Sequence, residues 1–199
     1  MRARMALAKA GVTVELREVV LRDKPLALIE ASAKATVPVL VLPDGTVIDE
    51  SRDILLWAFG RSDPDNWLSG IRTELAEMVV QNDGEFKKNL DRYKYSNRQS
   101  ESTRDAYRDA GAKWLAVLDD RLRASAQLAG DTPTALDIAI LPFIRQFANT
   151  DLKWFETSPY RSLRRWLDFW VNSELFLSIM HKYPQWKPGD PITPSTILK

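Results

Sequence analysis

Glu50 and Ser51 stand side by side where the short apolar run "TVID" gives way to a helical pattern. A serine at that point can cap the helix, and first-turn N–H groups, which have no intrahelical acceptor, bind carboxylates. The residues alone admit two readings: a capping serine among solvated acids, or a seat for a small charged ligand. One hairpin earlier, Pro38 interrupts the apolar run "VPVLVL". Proline has no backbone N–H and is excluded from the middle of a sheet. It therefore marks either a strand start with a cis X–Pro bond or an edge-strand residue in trans.

Other chemistries are closed off by composition. The chain of 199 residues has no cysteine, which excludes disulfides, thiolate metal sites and an internal cysteine nucleophile. Its one histidine, His181 in "LSIMHKYP", reads as a surface residue near a helix end, so neither a histidine triad nor a multi-histidine metal site is expected. A formal net charge of +1 argues against nucleic acid or an anionic membrane as the main partner. No apolar run approaches the roughly 20 residues of a membrane span, and no signal peptide is expected. The expected location is the cytoplasm, with no cofactor and no metal.

The elements that must position Pro38, Glu50 and Ser51 follow from the pattern up to about residue 60. "RARMALAKAG" reads as a helix stopped by Gly11, "VTVELREVV" as an alternating strand, and "KPLALIEAS" as a short helix with Pro25 in its first turn. The strands "VPVLVL" and "TVID", joined by the turn "PDG", lead into a helix from Ser51 to Phe59. Strands alternating with short helices indicate a small α/β layer. Beyond Gly60, "RSDPDNW" reads as a linker, and helices are expected at about 66–95, 102–128, 134–148 and 159–182. The stripes Leu115, Leu118, Leu122 and Trp166, Phe169, Trp170 are expected bundle core. The proline-rich end, 183–199, is expected to run as an extended tail. The expected domains are thus 1–60, α/β, and 61–199, all-helical.

Two helical features stand out. "TALD" reads as a capping box of Thr134 and Asp137 that serves folding, not chemistry. In "NDGEF" a glycine inside a helix costs about 1 kcal/mol against alanine, so Gly84 implies a bend or a close approach. Asp83, Phe86 and Lys87 are the candidates there for contact with a second substrate, with plain helix packing as the other reading of each.

A small α/β layer followed by a helical bundle, with Val-Pro opening a strand and Glu-Ser opening the next helix, resembles the cytosolic glutathione transferases. "KATVPVLVLPDGTVIDES" is similar to the family's glutathione-binding segment and "TALDIAILPF" to its bundle capping motif. "DKP" and "NDGEFKKNLDRYKY" further resemble cysteine-type bacterial and omega-like members. The resemblance implies a thioredoxin-like layer with a cis Val37–Pro38 bond, which lets Val37 pair its N–H and C=O with the extended tripeptide as an added strand would. It implies that Ser51 takes the γ-glutamyl carboxylate, Glu50 the amino group and Lys24 the glycine carboxylate. Glutathione is then a substrate, the partner is a small electrophile or thiol compound, and the protein is a homodimer.

On the same resemblance the chain opens within the first helix. The first strand and a short motif of the Cys-Pro-Tyr-Ala kind, carrying the catalytic residue, fall upstream of Met1. Either Met1 is internal to a longer protein, or the sheet is incomplete and "VTVELREVV" is poorly paired, displaced or completed by another chain. Two functions follow: conjugation or thiol transfer with glutathione when the catalytic residue is supplied, or a non-catalytic ligand-binding or interaction module of the same fold.

Overall fold

The structure, a computed structural model, describes residues 1–95 and 101–194. The chain divides into two compact units, one of Met1–Asp65 with the residues from Ser173 on, the other of Asn66–Asn172.

The first unit is built on α1 (Arg2–Lys9), which buries Ala3, Met5 and Ala6 and packs on α3 (Ser51–Arg61) and α10 (Glu174–Ile179). Gly11 ends α1 as expected. At φ +67° it lets its own N–H reach Ala8 O (3.1 Å) and the N–H of Val12 reach Leu7 O (2.9 Å), satisfying carbonyls the helix leaves open. After α2 (Leu26–Ala31), β1 (Leu40–Val41) and β2 (Val47–Ile48) pair antiparallel, Leu40 opposite Ile48 and Val41 opposite Val47. Their turn uses Gly45 at φ +85° and the Asp44 carboxylate, which accepts from the Thr46 N–H at 2.9 Å. The Val37–Pro38 bond ahead of β1 is cis.

"VTVELREVV" departs from expectation, because among the described residues it forms no strand ladder. It runs beside the C-terminal stretch: the Leu16 N–H donates to Thr193 O at 2.7 Å and the Trp186 N–H to Glu18 O at 2.9 Å. Pro184, Pro188, Pro191 and Pro194 have no N–H to offer, so the pairing stays at isolated points such as Glu15 opposite Pro194. Arg17 closes the contact over the Trp186 ring, 4.6 Å from its centroid. This stretch is the expected extended tail, whose last five residues lie outside those described.

The second unit is all helix: α4 (Arg72–Gln81), a π-helical turn (Asn82–Phe86), α5 (Lys87–Tyr95), α6 (Glu101–Ala124), α7 (Ala135–Ala148), α8 (Leu152–Thr157) and α9 (Arg161–Val171). Helix α7 is largely apolar, with Leu136, Ile138, Ala139, Ile140 and Leu141 buried, and so lies in the interior of this unit. Leu115, Leu118 and Leu122 are core, as are Trp166 and Trp170, but Phe169 is 50 % exposed. The expected long helix at 159–182 breaks at Asn172, and Ser173 caps α10 by accepting from the Phe176 N–H. The helix expected from residue 66 begins only at Arg72.

Asp137 organises the start of α7. Its carboxylate accepts from the Thr134 N–H (2.8 Å) and hydroxyl (2.9 Å), completing the expected capping box. It also accepts from the Leu128 N–H and the Trp166 indole N–H, both at 2.8 Å. Burial pushes its carboxyl above the ordinary range, against the pull of these donors. At Gly84 the backbone leaves helical geometry (φ −84°, ψ −109°), and a side chain there would meet none of the described residues within 4 Å. Of the two readings for Gly84, the bend holds and close approach does not.

Candidate functional site

The hairpin register brings the two motifs of the first unit to one end. Leu40 faces Ile48, so Pro38 and Glu50, each two positions further out, stand at the same end of the β1–β2 pair. Ala35, at φ +46°, turns the chain from Lys34 toward Val37, with its N–H on Ser32 O at 2.8 Å. Val37 is 47 % exposed, and among the described residues its N–H and C=O take part in no hydrogen bond. An edge of backbone is therefore left open at Val37.

Glu50, not Ser51, occupies the cap position of α3, with extended backbone (φ −113°, ψ 130°) and no side-chain cap. Ser51 is already helical and cannot fold its hydroxyl over the N–H groups that follow. That hydroxyl accepts instead from Arg2 Nη1 at 3.2 Å. The first helical bond at this end runs from the Ile54 N–H to Glu50 O at 2.9 Å, leaving the earlier first-turn N–H groups without an intrahelical acceptor. Arg2 itself is only 3 % exposed, a guanidinium enclosed in the first unit.

The acids beside Ser51 hold a cation of their own. Lys34 Nζ lies 2.6 Å from Glu50 Oε1 and 3.1 Å from Asp49 Oδ1, and the Ser32 hydroxyl donates to Asp49 Oδ2 at 2.8 Å. The Ser32 hydroxyl and then Lys34 hold the Asp49 carboxyl below its usual range. Glu50 and Asp49 in turn hold the Lys34 ammonium above its own. The end of the hairpin thus presents an open backbone edge, a positively biased helix start and a carboxylate able to take an ammonium. Together these suit an α-amino acid head group on an extended peptide.

Lys24 is exposed just after the turn closed by the Asp23 N–H on Val20 O (2.8 Å), and it has no ion-pair partner among the described residues. Asp83, Phe86 and Lys87 belong to the second unit. Phe86 is buried with its ring 5.6 Å from that of Phe147, so packing occupies it. Asp83 accepts from Asn82 Nδ2 at 2.9 Å, and Lys87 pairs with Asp91 one turn on. Sequence reasoning missed Arg2, Ser32, Lys34 and Asp49. An arginine on the otherwise apolar face of "RARMALA" was the available signal for the first of these.

An α/β unit that carries a cis-proline hairpin and a Glu-Ser helix start, together with an all-helical unit, defines the glutathione S-transferase class of fold. Residues 1–58 match the family's N-terminal domain and 101–169 its C-terminal domain, together more than half of the chain. The chain belongs to the glutathione S-transferase family. Among solved structures it is similar to BphK, a bacterial glutathione S-transferase solved as a ternary complex, with a TM-score of 0.77 at 22 % identity over 89 % of this chain and 90 % of that one. A family member from Pseudomonas fluorescens, solved with two glutathione bound, gives 0.76 at 18 % identity over 88 % and 85 %. A glutathione S-transferase from Rhodospirillum rubrum gives 0.75 at 20 % over 94 % and 90 %. At these identities the likeness is one of fold. No curated protein matches the sequence significantly.

Proposed function

We propose that this is a glutathione transferase-type protein that binds glutathione on its α/β unit. Val37 pairs with the tripeptide backbone, Ser51 and the α3 N-terminus take the γ-glutamyl carboxylate, Glu50 the amino group, and Lys24 the glycine carboxylate. The observation that carries the reading is the uncommitted N–H and C=O of Val37, held by the register at the same end of the hairpin as Glu50 and Ser51. The glutathione-bound neighbour of the same fold supports it.

The chemistry proposed is conjugation of glutathione to an electrophile, or thiol transfer, when a thiolate-stabilising residue of the family's kind is supplied beside the sulfur. Glutathione is the substrate, and no separate cofactor is needed. Among the described residues no helix is long and apolar enough to cross a membrane. Cytoplasmic location and a two-fold homodimer complete the reading.

Calorimetry with glutathione tests the site. Ser51→Ala should weaken binding by about 1–3 kcal/mol, the worth of a hydrogen bond to a charged group, and an unchanged affinity would refute the assignment. Conjugation and thiol-transfer assays on the same protein separate an enzyme from a non-catalytic glutathione-binding module. A monomeric mass in sedimentation at micromolar concentration would count against the dimer.

A further inference from the structure

We infer that Arg2 is a positioning residue for the ligand's carboxylate: it holds Ser51 as a hydrogen-bond donor and sets a buried positive charge behind it. The inference rests on the glutathione reading of Ser51 and adds the group that gives that serine its polarity. A guanidinium carries donors only, so the 3.2 Å bond from Arg2 Nη1 makes Ser51 Oγ an acceptor. The hydroxyl still has one proton, which must turn away from the cation. A serine able to donate or accept is thereby committed to donating outward.

The surroundings favour the same sign. Arg2 is 3 % exposed, and a charge shielded from water acts on its neighbours more strongly than one on the surface. The first-turn N–H groups of α3, with the partial positive charge of the helix end, lie next to the same hydroxyl. Cation, hydroxyl proton and amides combine against one anionic group. Glu50, adjacent in sequence, repels a second anion and suits an ammonium. The pair selects a zwitterionic head group over a simple carboxylate, which is why the γ-glutamyl end should be read here.

The test uses the whole chain and two ligands, glutathione and an analogue whose γ-glutamyl group is replaced by 4-aminobutyryl, which keeps the amine and lacks the carboxylate. Arg2→Gln should weaken glutathione about tenfold and leave the analogue within about twofold. Arg2→Lys, which keeps the charge but not the planar fork, should fall between. In a Ser51→Ala background Arg2→Gln should cost less than about threefold, because the two act through one group. A folded Arg2→Gln protein that binds glutathione as before, or loses both ligands equally, overturns the inference. If Arg2→Gln does not fold, Arg2→Lys decides by whether discrimination between the ligands shrinks. Failure of both to fold assigns Arg2 to structure alone and overturns it too. Wild-type protein that does not bind glutathione defeats the site reading itself. Binding that is lost in Ser51→Ala but kept in Arg2→Gln defeats only the role of Arg2.

Discussion

Lys34 Nζ stands 2.6 Å from Glu50 Oε1, so an ammonium of the protein's own already sits on the carboxylate proposed for the amino group of glutathione. The pair is exposed, and water and salt screen such pairs so that they contribute little. Lys34 is therefore a weak internal competitor. Lys34→Met should raise glutathione affinity about two- to fivefold at low ionic strength, and the difference should shrink in high salt. Titration at two salt concentrations checks it. Weaker binding by the variant would show that Lys34 orients Glu50 instead of competing for it.

Acid should loosen the hairpin end through Asp49. Its carboxyl is held below the ordinary value of 3.8 by the Ser32 hydroxyl first and Lys34 second. A depressed folded-state value means that the contribution is present above the unfolded value and is lost as pH falls through the folded one. Wild-type stability should then drop more steeply below about pH 4 than that of Asp49→Asn. Urea midpoints across this range measure the two slopes, and parallel curves would contradict the assignment.

Asp137 joins three elements of the second unit, so its loss should be costly. Asp137→Ala removes a helix cap worth about 1 kcal/mol and strands the Leu128 and Trp166 N–H groups, each at about 1–3 kcal/mol. Relief of a desolvated carboxylate offsets part of this, leaving a net loss of about 3 kcal/mol. Chemical denaturation gives the number. A loss below about 1 kcal/mol would mean that water replaces the carboxylate.

Gly111 of α6 lies against the Phe147 ring, which reaches it from α7. A Cβ there would lie 2.6 Å from Phe147 Cε2, on a ring wedged among Phe86, Tyr93 and Trp154. Gly111→Ala should destabilise by about 1–3 kcal/mol through overpacking, although alanine favours a helix by about 1 kcal/mol. Phe147→Leu in the same chain should recover part of the loss. A stabilised single variant in thermal melts would show that the ring moves aside freely.

These residues also show what could be read from sequence. Pro38, Glu50 and Ser51 stood out by their order along one hairpin, but the residues alone left two readings of each, and only the resemblance chose between them. Arg2 did not stand out, because its partner lies 49 positions away and only the packing of α1 on α3 joins them. Lys34 lies 16 positions from Glu50 in sequence, and the turn at Ala35 brings the two together. Alternation in "VTVELREVV" was genuine, but a strand needs a partner with donors, and its neighbour is rich in proline. Gly84 announced its bend, while nothing near Gly111 in sequence names Phe147. The break at Asn172 was visible in "NSE", a capping serine followed by an acid, and the aromatic stripe before it hid the signal.

The first unit is written at both ends of the chain, for α10 packs on α1 and the stretch after it reaches Leu16 and Glu18. Translation runs in one direction at about 5–20 residues per second. The residues from Asn66 to Asn172 therefore leave the ribosome before α10 exists. The α/β half, although made first, must wait with the α10-facing side of α1 uncovered until the last part of the chain arrives. Its order of birth and its order of completion are reversed, and any ribosome stalled before Ser173 would present a finished bundle with an unfinished α/β half.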